Sequence, residues 1–127
     1  MTHLGTHILA DLAGIRSELL DDEASLRGLI ERATAEAGGT LLATNSHQFE
    51  PCGVTAIVLL AESHISIHTW PELGEAAVDV YTCGVKMDGR AALDAVLRAL
   101  EPETFHLTTH RRGLESAPLP PLRSPQR

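Results

Sequence analysis

Ala61-Glu62-Ser63-His64-Ile65-Ser66-Ile67-His68-Thr69-Trp70-Pro71-Glu72 combines the alternation of a β-strand with a hydroxyl nucleophile, imidazoles and carboxylates. On an ideal strand His64, Ser66 and His68 share one face, while Ser63, Ile65 and Ile67 share the other. The apolar face needs a cover, so this strand belongs to a sheet with one side packed. A second strand-like run, Ala76-Ala77-Val78-Asp79-Val80, leads into Tyr81-Thr82-Cys83-Gly84 and sets a thiol at its end. A hydroxyl, an imidazole and a thiol thus become candidates for one site.

Working outward, Thr6 to Leu12 alternates as a short strand, and Asp21 or Asp22 supplies an N-cap. Leu26, Leu29, Ile30, Ala33 and Ala37 recur at helical spacing until Gly38-Gly39 gives the backbone freedom for a C-cap. Thr40 to Thr44 restarts extended structure, Pro51-Cys52-Gly53 makes a turn, and Val54 to Ala61 reads as a buried run. Lys86 to Gly89 is a turn before a second helix face of Leu93, Val96, Leu97 and Leu100, which Pro102 stops. Thr104 to Thr109 is the last strand. Two helices separated by groups of strands predict an α+β fold, a two-layer sandwich in which both helices cover one face of a mainly antiparallel sheet. The other face is left for solvent or a partner.

The 127 residues predict one domain over residues 1–113 and a disordered tail over 114–127 that carries Pro118, Pro120, Pro121 and Pro125. A net charge of -7 without a Lys/Arg block argues against nucleic acid as the main partner and suits a cationic substrate. No apolar run reaches the roughly 18 residues of a membrane span, and no secretory leader is apparent, so the expected location is cytoplasmic. In that compartment Cys52 and Cys83 are expected as free thiols. Cys52, in its turn, looks incidental. His64, His68 and Cys83 would also suit a zinc ion, but no Cys-x-x-Cys or His-Glu-x-x-His pattern accompanies them, and no metal is assigned. His106 and His110 read as solvent-facing, Glu72 and Glu75 as loop carboxylates that solvent or a polar substrate would meet, and Phe49 as core or a stacking face.

Residues 61–72 together with Ala76 to Gly84 resemble the prokaryotic S-adenosylmethionine decarboxylase proenzymes, which are pyruvoyl-dependent and make the aminopropyl donor for spermidine. The similarity extends more loosely through Gly5-Thr6-His7, Phe49-Glu50-Pro51, Gly53-Val54-Thr55 and Arg112-Gly113. It implies self-cleavage between Glu62 and Ser63, an ester at Ser63, removal of its α-proton by His68, and conversion of Ser63 to a pyruvoyl group that forms a Schiff base with substrate. It further implies Cys83 as the catalytic proton donor, adenine stacked between Phe49 and His68, Glu72 near the ribose, and a homodimer of cleaved protomers with two alpha and two beta chains. Thr55 stands where the family usually has a serine that assists processing, and keeps the hydroxyl. Glu75 stands where a tyrosine is common, which opens arginine or ornithine as alternative substrates. From another class, the chain would be an unprocessed, non-catalytic regulatory homologue.

Overall fold

The computed structural model describes residues 4–84 and 86–114. Six strands run β1 Gly5–Ala13, β2 Leu41–Gln48, β3 Val54–Leu60, β4 Ser63–Trp70, β5 Glu75–Cys83 and β6 Thr104–Arg112. They form one sheet in the order β2-β3-β4-β5-β1-β6, antiparallel at every pairing. The helices are α1 Ser17–Leu20, α2 Glu23–Glu36 and α3 Gly89–Leu100. The expected α+β two-layer sandwich is thus present, with one more helix than the periodicity indicated. A single turn such as α1 is too short to display a period. The tail expected over 114–127 lies, apart from exposed Leu114, outside the described residues.

Helix-spaced Leu26, Ile30 and Ala33 of α2, with Leu93 and Val96 of α3, pack on one sheet face against the inward residues of the strands. Ile65 and Ile67 are fully buried there, each contributing about 1.5–3 kcal/mol of apolar burial. Thr69 is the buried polar residue of that row, and its hydroxyl donates to the Leu20 carbonyl (2.7 Å) while accepting from the Val54 N–H (2.9 Å). These bonds fasten α1 to β3 and β4.

The face without helices is different. Val54 to Ala61 reads as buried throughout, yet Ile57 and Leu59 are 40% and 55% exposed, because they alternate with Val58 onto the uncovered side. Leu9 and Trp70 are exposed as well. The described residues hold no helix long and apolar enough to cross a membrane.

Candidate active site

Ala61 and Glu62 form the tight connection between β3 and β4, whose ladder closes with Leu60 opposite Ser63. Ser63 takes φ 145°, a region that side-chain-bearing residues rarely occupy and that costs of order 1–3 kcal/mol. The neighbourhood holds it there. The Cys83 N–H donates to the Glu62 carbonyl (2.8 Å), and the Glu62 carboxylate accepts from the Thr40 N–H (2.9 Å) and Thr40 hydroxyl (3.1 Å). Lys86 Nζ stands 3.7 Å from that carboxylate and donates to the Thr40 hydroxyl (2.7 Å). The Thr40 N–H, its hydroxyl and the Lys86 charge hold the Glu62 carboxyl below its ordinary pKa, against the opposing effect of burial.

Beyond the Glu62-Ser63 peptide, the uncovered face carries a row that begins with His7, Tyr81 and His64 on β1, β5 and β4. Ser63 Oγ lies 3.2 Å from His64 Nδ1. The His64 ring meets Tyr81 edge-on at 5.9 Å and His7 at 6.4 Å between centroids. Burial, then the neighbouring His7, push the His64 pKa down, with Asp79 opposing. Cys83 is a half-buried free thiol opposite Gly5. A Cβ at Gly5 would stand 2.6 Å from the Thr82 carbonyl oxygen and 3.2 Å from Cys83 Sγ, so glycine keeps the thiol uncovered there.

A second cluster lies at the other end of β4. His68 Nδ1 is 3.0 Å from the Thr55 hydroxyl, matching their opposition across the β3–β4 ladder. Phe49, Cys52, Thr55, His68 and Trp70 line a cleft of about 240 Å³. Glu72 joins it through the Cys52 thiol, which donates to its carboxylate (3.5 Å). Cys52, incidental by sequence, therefore touches two of the candidate binding residues' surroundings; burial, reinforced by the hydrogen bond to Glu72, raises its pKa. Glu75 sits opposite Trp70, at the border of that cleft, and lines a second cleft of about 380 Å³ with Asp11, Phe105 and His106.

The structure thus brings together Glu62, Ser63 and Cys83, and separately Phe49, Thr55, His68 and Glu72. Ser63 and His68 are five residues apart on one strand, a span of about 16 Å. Among the described residues no three His, Cys, Asp or Glu side chains converge as metal ligands, so His64, His68 and Cys83 do not form the zinc set weighed from sequence. Thr40, Lys86, His7 and Tyr81 escaped the sequence reading. Their contacts depend on strand register and on chain crossings that no local pattern encodes.

The chain matches the family model described as S-adenosylmethionine decarboxylase over residues 6–113. It is 42% identical over 113 residues to the S-adenosylmethionine decarboxylase proenzyme of Methanococcus aeolicus, covering 89% of this chain and 97% of that protein. It is 47% identical over 111 residues to the proenzyme of Aquifex aeolicus VF5, covering 87% of this chain and 82% of that protein. The crystal structure of the adenosylmethionine decarboxylase from Aquifex aeolicus VF5 superposes with a TM-score of 0.86 at 42% identity, over 95% of this chain and all of that one. The family model spans nearly the whole fold, the curated relatives cover most of it, and the backbone superposes on a solved member: the chain belongs to the S-adenosylmethionine decarboxylase family.

Proposed function

We propose that the chain cleaves itself between Glu62 and Ser63, and that the product decarboxylates S-adenosylmethionine. The observation that carries the reading is Ser63 at φ 145° with the preceding carbonyl held by the Cys83 N–H. That N–H polarises the Glu62 carbonyl for attack by the Ser63 hydroxyl and stabilises the developing oxyanion. Breaking the peptide also releases the strain stored at Ser63. The attack exchanges the Glu62–Ser63 amide for an ester on Ser63 Oγ. Loss of the Ser63 α-proton then expels the Glu62 carboxylate, and water replaces the resulting enamine nitrogen as ammonia. The residues at this turn fit the conversion: Glu62, the leaving carboxylate's residue, is anchored by Thr40 and Lys86.

The pyruvoyl carbonyl so generated supplies an electron sink for the pair released with carbon dioxide. The Cys83 thiol delivers a proton to the former α-carbon of the substrate. Phe49 and His68 take the adenine between them, Glu72 meets the ribose, and Thr55 orients His68 through its 3.0 Å hydrogen bond. These last residues serve a Ser63 in a second copy. A two-fold axis through the uncovered sheet face would lay the Phe49, His68 and Glu72 cleft of one protomer over the Ser63 and Cys83 of the other. It would also bury Leu9, Ile57 and Leu59. The assembled species is a homodimer of cleaved protomers in the cytoplasm.

In the alternative, Glu75 would pair with the cationic group of arginine or ornithine; the identity to S-adenosylmethionine decarboxylase proenzymes favours S-adenosylmethionine. The test is the intact mass after cyanoborohydride reduction in a mixture of S-adenosylmethionine, arginine and ornithine. Cleavage at Glu62-Ser63 with an S-adenosylmethionine-derived adduct supports the reading. An adduct of arginine or ornithine reverses the substrate, and a single uncleaved mass makes the chain a non-catalytic homologue.

A further inference from the structure

We propose that His64 is the base that takes the Ser63 hydroxyl proton during self-cleavage and returns it to the departing Ser63 nitrogen. The inference rests on the self-cleavage reading and adds a residue to it. On a regular strand, successive side chains point to opposite faces and do not meet. Ser63 and His64 do meet, with Oγ and Nδ1 3.2 Å apart, and the residue at which the alternation breaks is Ser63 at φ 145°. The same backbone distortion that strains the scissile peptide therefore brings its nucleophile onto an imidazole. His68 has no such access within the chain, since Thr55 occupies its Nδ1 at the far end of β4.

The surroundings of His64 favour the neutral ring. His7 of β1 and Tyr81 of β5 stand against it, and Leu59 of β3 is its cross-strand neighbour. Behind them, Asp79 lies 3.6 Å from His7 Nε2, and Arg112 of β6 sits over the Tyr81 ring and 3.4 Å from His7 Nδ1. Burial and His7 together outweigh the attraction of Asp79, so His64 titrates below its ordinary value. With its proton on Nε2, neutral His64 leaves the Nδ1 lone pair facing the hydroxyl.

The step balances without a co-reactant. The Oγ–H proton passes to Nδ1 as Oγ bonds to the Glu62 carbonyl carbon; the bond from that carbon to the Ser63 nitrogen breaks, and the nitrogen takes the proton from the imidazolium. Ester and free amine result, and His64 is neutral again. The α-proton is removed in the later elimination by a different group.

The experiment follows freshly made full-length chain by intact mass, with and without hydroxylamine, which cleaves an ester at Ser63 but leaves the amide intact. His64→Ala and His64→Gln are compared with the parent chain, with circular dichroism to establish folding. General-base assistance is worth about 10²–10⁴-fold, so a folded variant should form ester at least about a hundredfold more slowly and remain hydroxylamine-resistant. Added imidazole should restore cleavage to His64→Ala. In the parent chain, ester formation should slow only as pH falls below the ordinary histidine value of about 6.5, and both variants should lack that inflection. The glutamine variant decides the matter if the alanine variant does not fold. Parent-like ester formation in either folded variant overturns the proposal, as does a variant that stalls as a hydroxylamine-sensitive ester. A parent chain that never cleaves overturns the self-cleavage reading itself, which is a distinct result.

Discussion

In the proposed reaction Cys83 would present two atoms to two different steps. Its N–H donates to the Glu62 carbonyl, and its thiol faces the uncovered side of the sheet near Gly5. Replacing the side chain leaves the N–H in place. Cys83→Ala should therefore cleave to the same two masses as the parent chain, while carbon dioxide release from S-adenosylmethionine falls by about 10²–10⁴-fold, the range for loss of a positioned proton donor. Undiminished release of carbon dioxide would remove the thiol from the mechanism. Ser63 and Cys83 were legible as candidates from a hydroxyl and a thiol at the ends of strand-like runs, and in their roles only through the family resemblance. His7, Tyr81, Thr40 and Lys86 were not, because a histidine in an alternating strand or a lysine in a turn carries no sign of what crosses from elsewhere. His64 was legible as a residue on the opposite face from Ser63 and as one of three ligands that would suit zinc, not as a partner of Ser63. A strained φ at one residue brought the pair into contact, and sequence does not announce such strain.

At the scale of elements, periodicity located β1, β4, β5, α2 and α3 within a few residues. It did not reveal that β1, first in the chain, inserts between β5 and β6 near the end of the sheet. That pairing is set by which edges the helix connections leave free, a non-local outcome. The choice between Asp21 and Asp22 as N-cap also needed the structure. Asp22 caps α2 by accepting from the Ser25 N–H, whereas the Asp21 carboxylate accepts from Gly53 N–H and the Gln48 side chain, both at 2.8 Å. Asp21 thereby pins the turn that carries Phe49. Gly53, at φ 107° with the Thr69 carbonyl 3.2 Å from where a Cβ would stand, allows that turn to close. Asp88 is the corresponding cap of α3, accepting from the N–H groups of Arg90 and Ala91. Asp88→Ala should lower unfolding stability by about 1 kcal/mol, seen as a lower urea midpoint with an unchanged slope. A changed slope would mean that the cap shapes more than the helix terminus.

At the scale of the whole molecule, one chain holds two clusters of candidate residues, the two halves of the proposed site, that cannot meet along β4. A straight strand separates Ser63 from His68, as their positions in the sequence already imply, and the sheet adds that Thr55, Phe49 and Glu72 stay with His68 while Cys83 stays with Ser63. If two copies exchange halves across a two-fold axis, Cys83→Ala and His68→Ala damage opposite halves. A mixed dimer then contains one site with both defects and one with neither. Co-expressing the two variants should yield about a quarter of the parent activity, since about half of randomly assorted dimers are mixed and half of their sites are intact. Each variant alone should be nearly inactive. If each chain instead completed its own site through a rearrangement, mixing would restore nothing, because every site would retain one defect. Activity of the co-expressed pair against the two separate variants therefore distinguishes a shared site from a private one, independently of whether the dimer is visible by size.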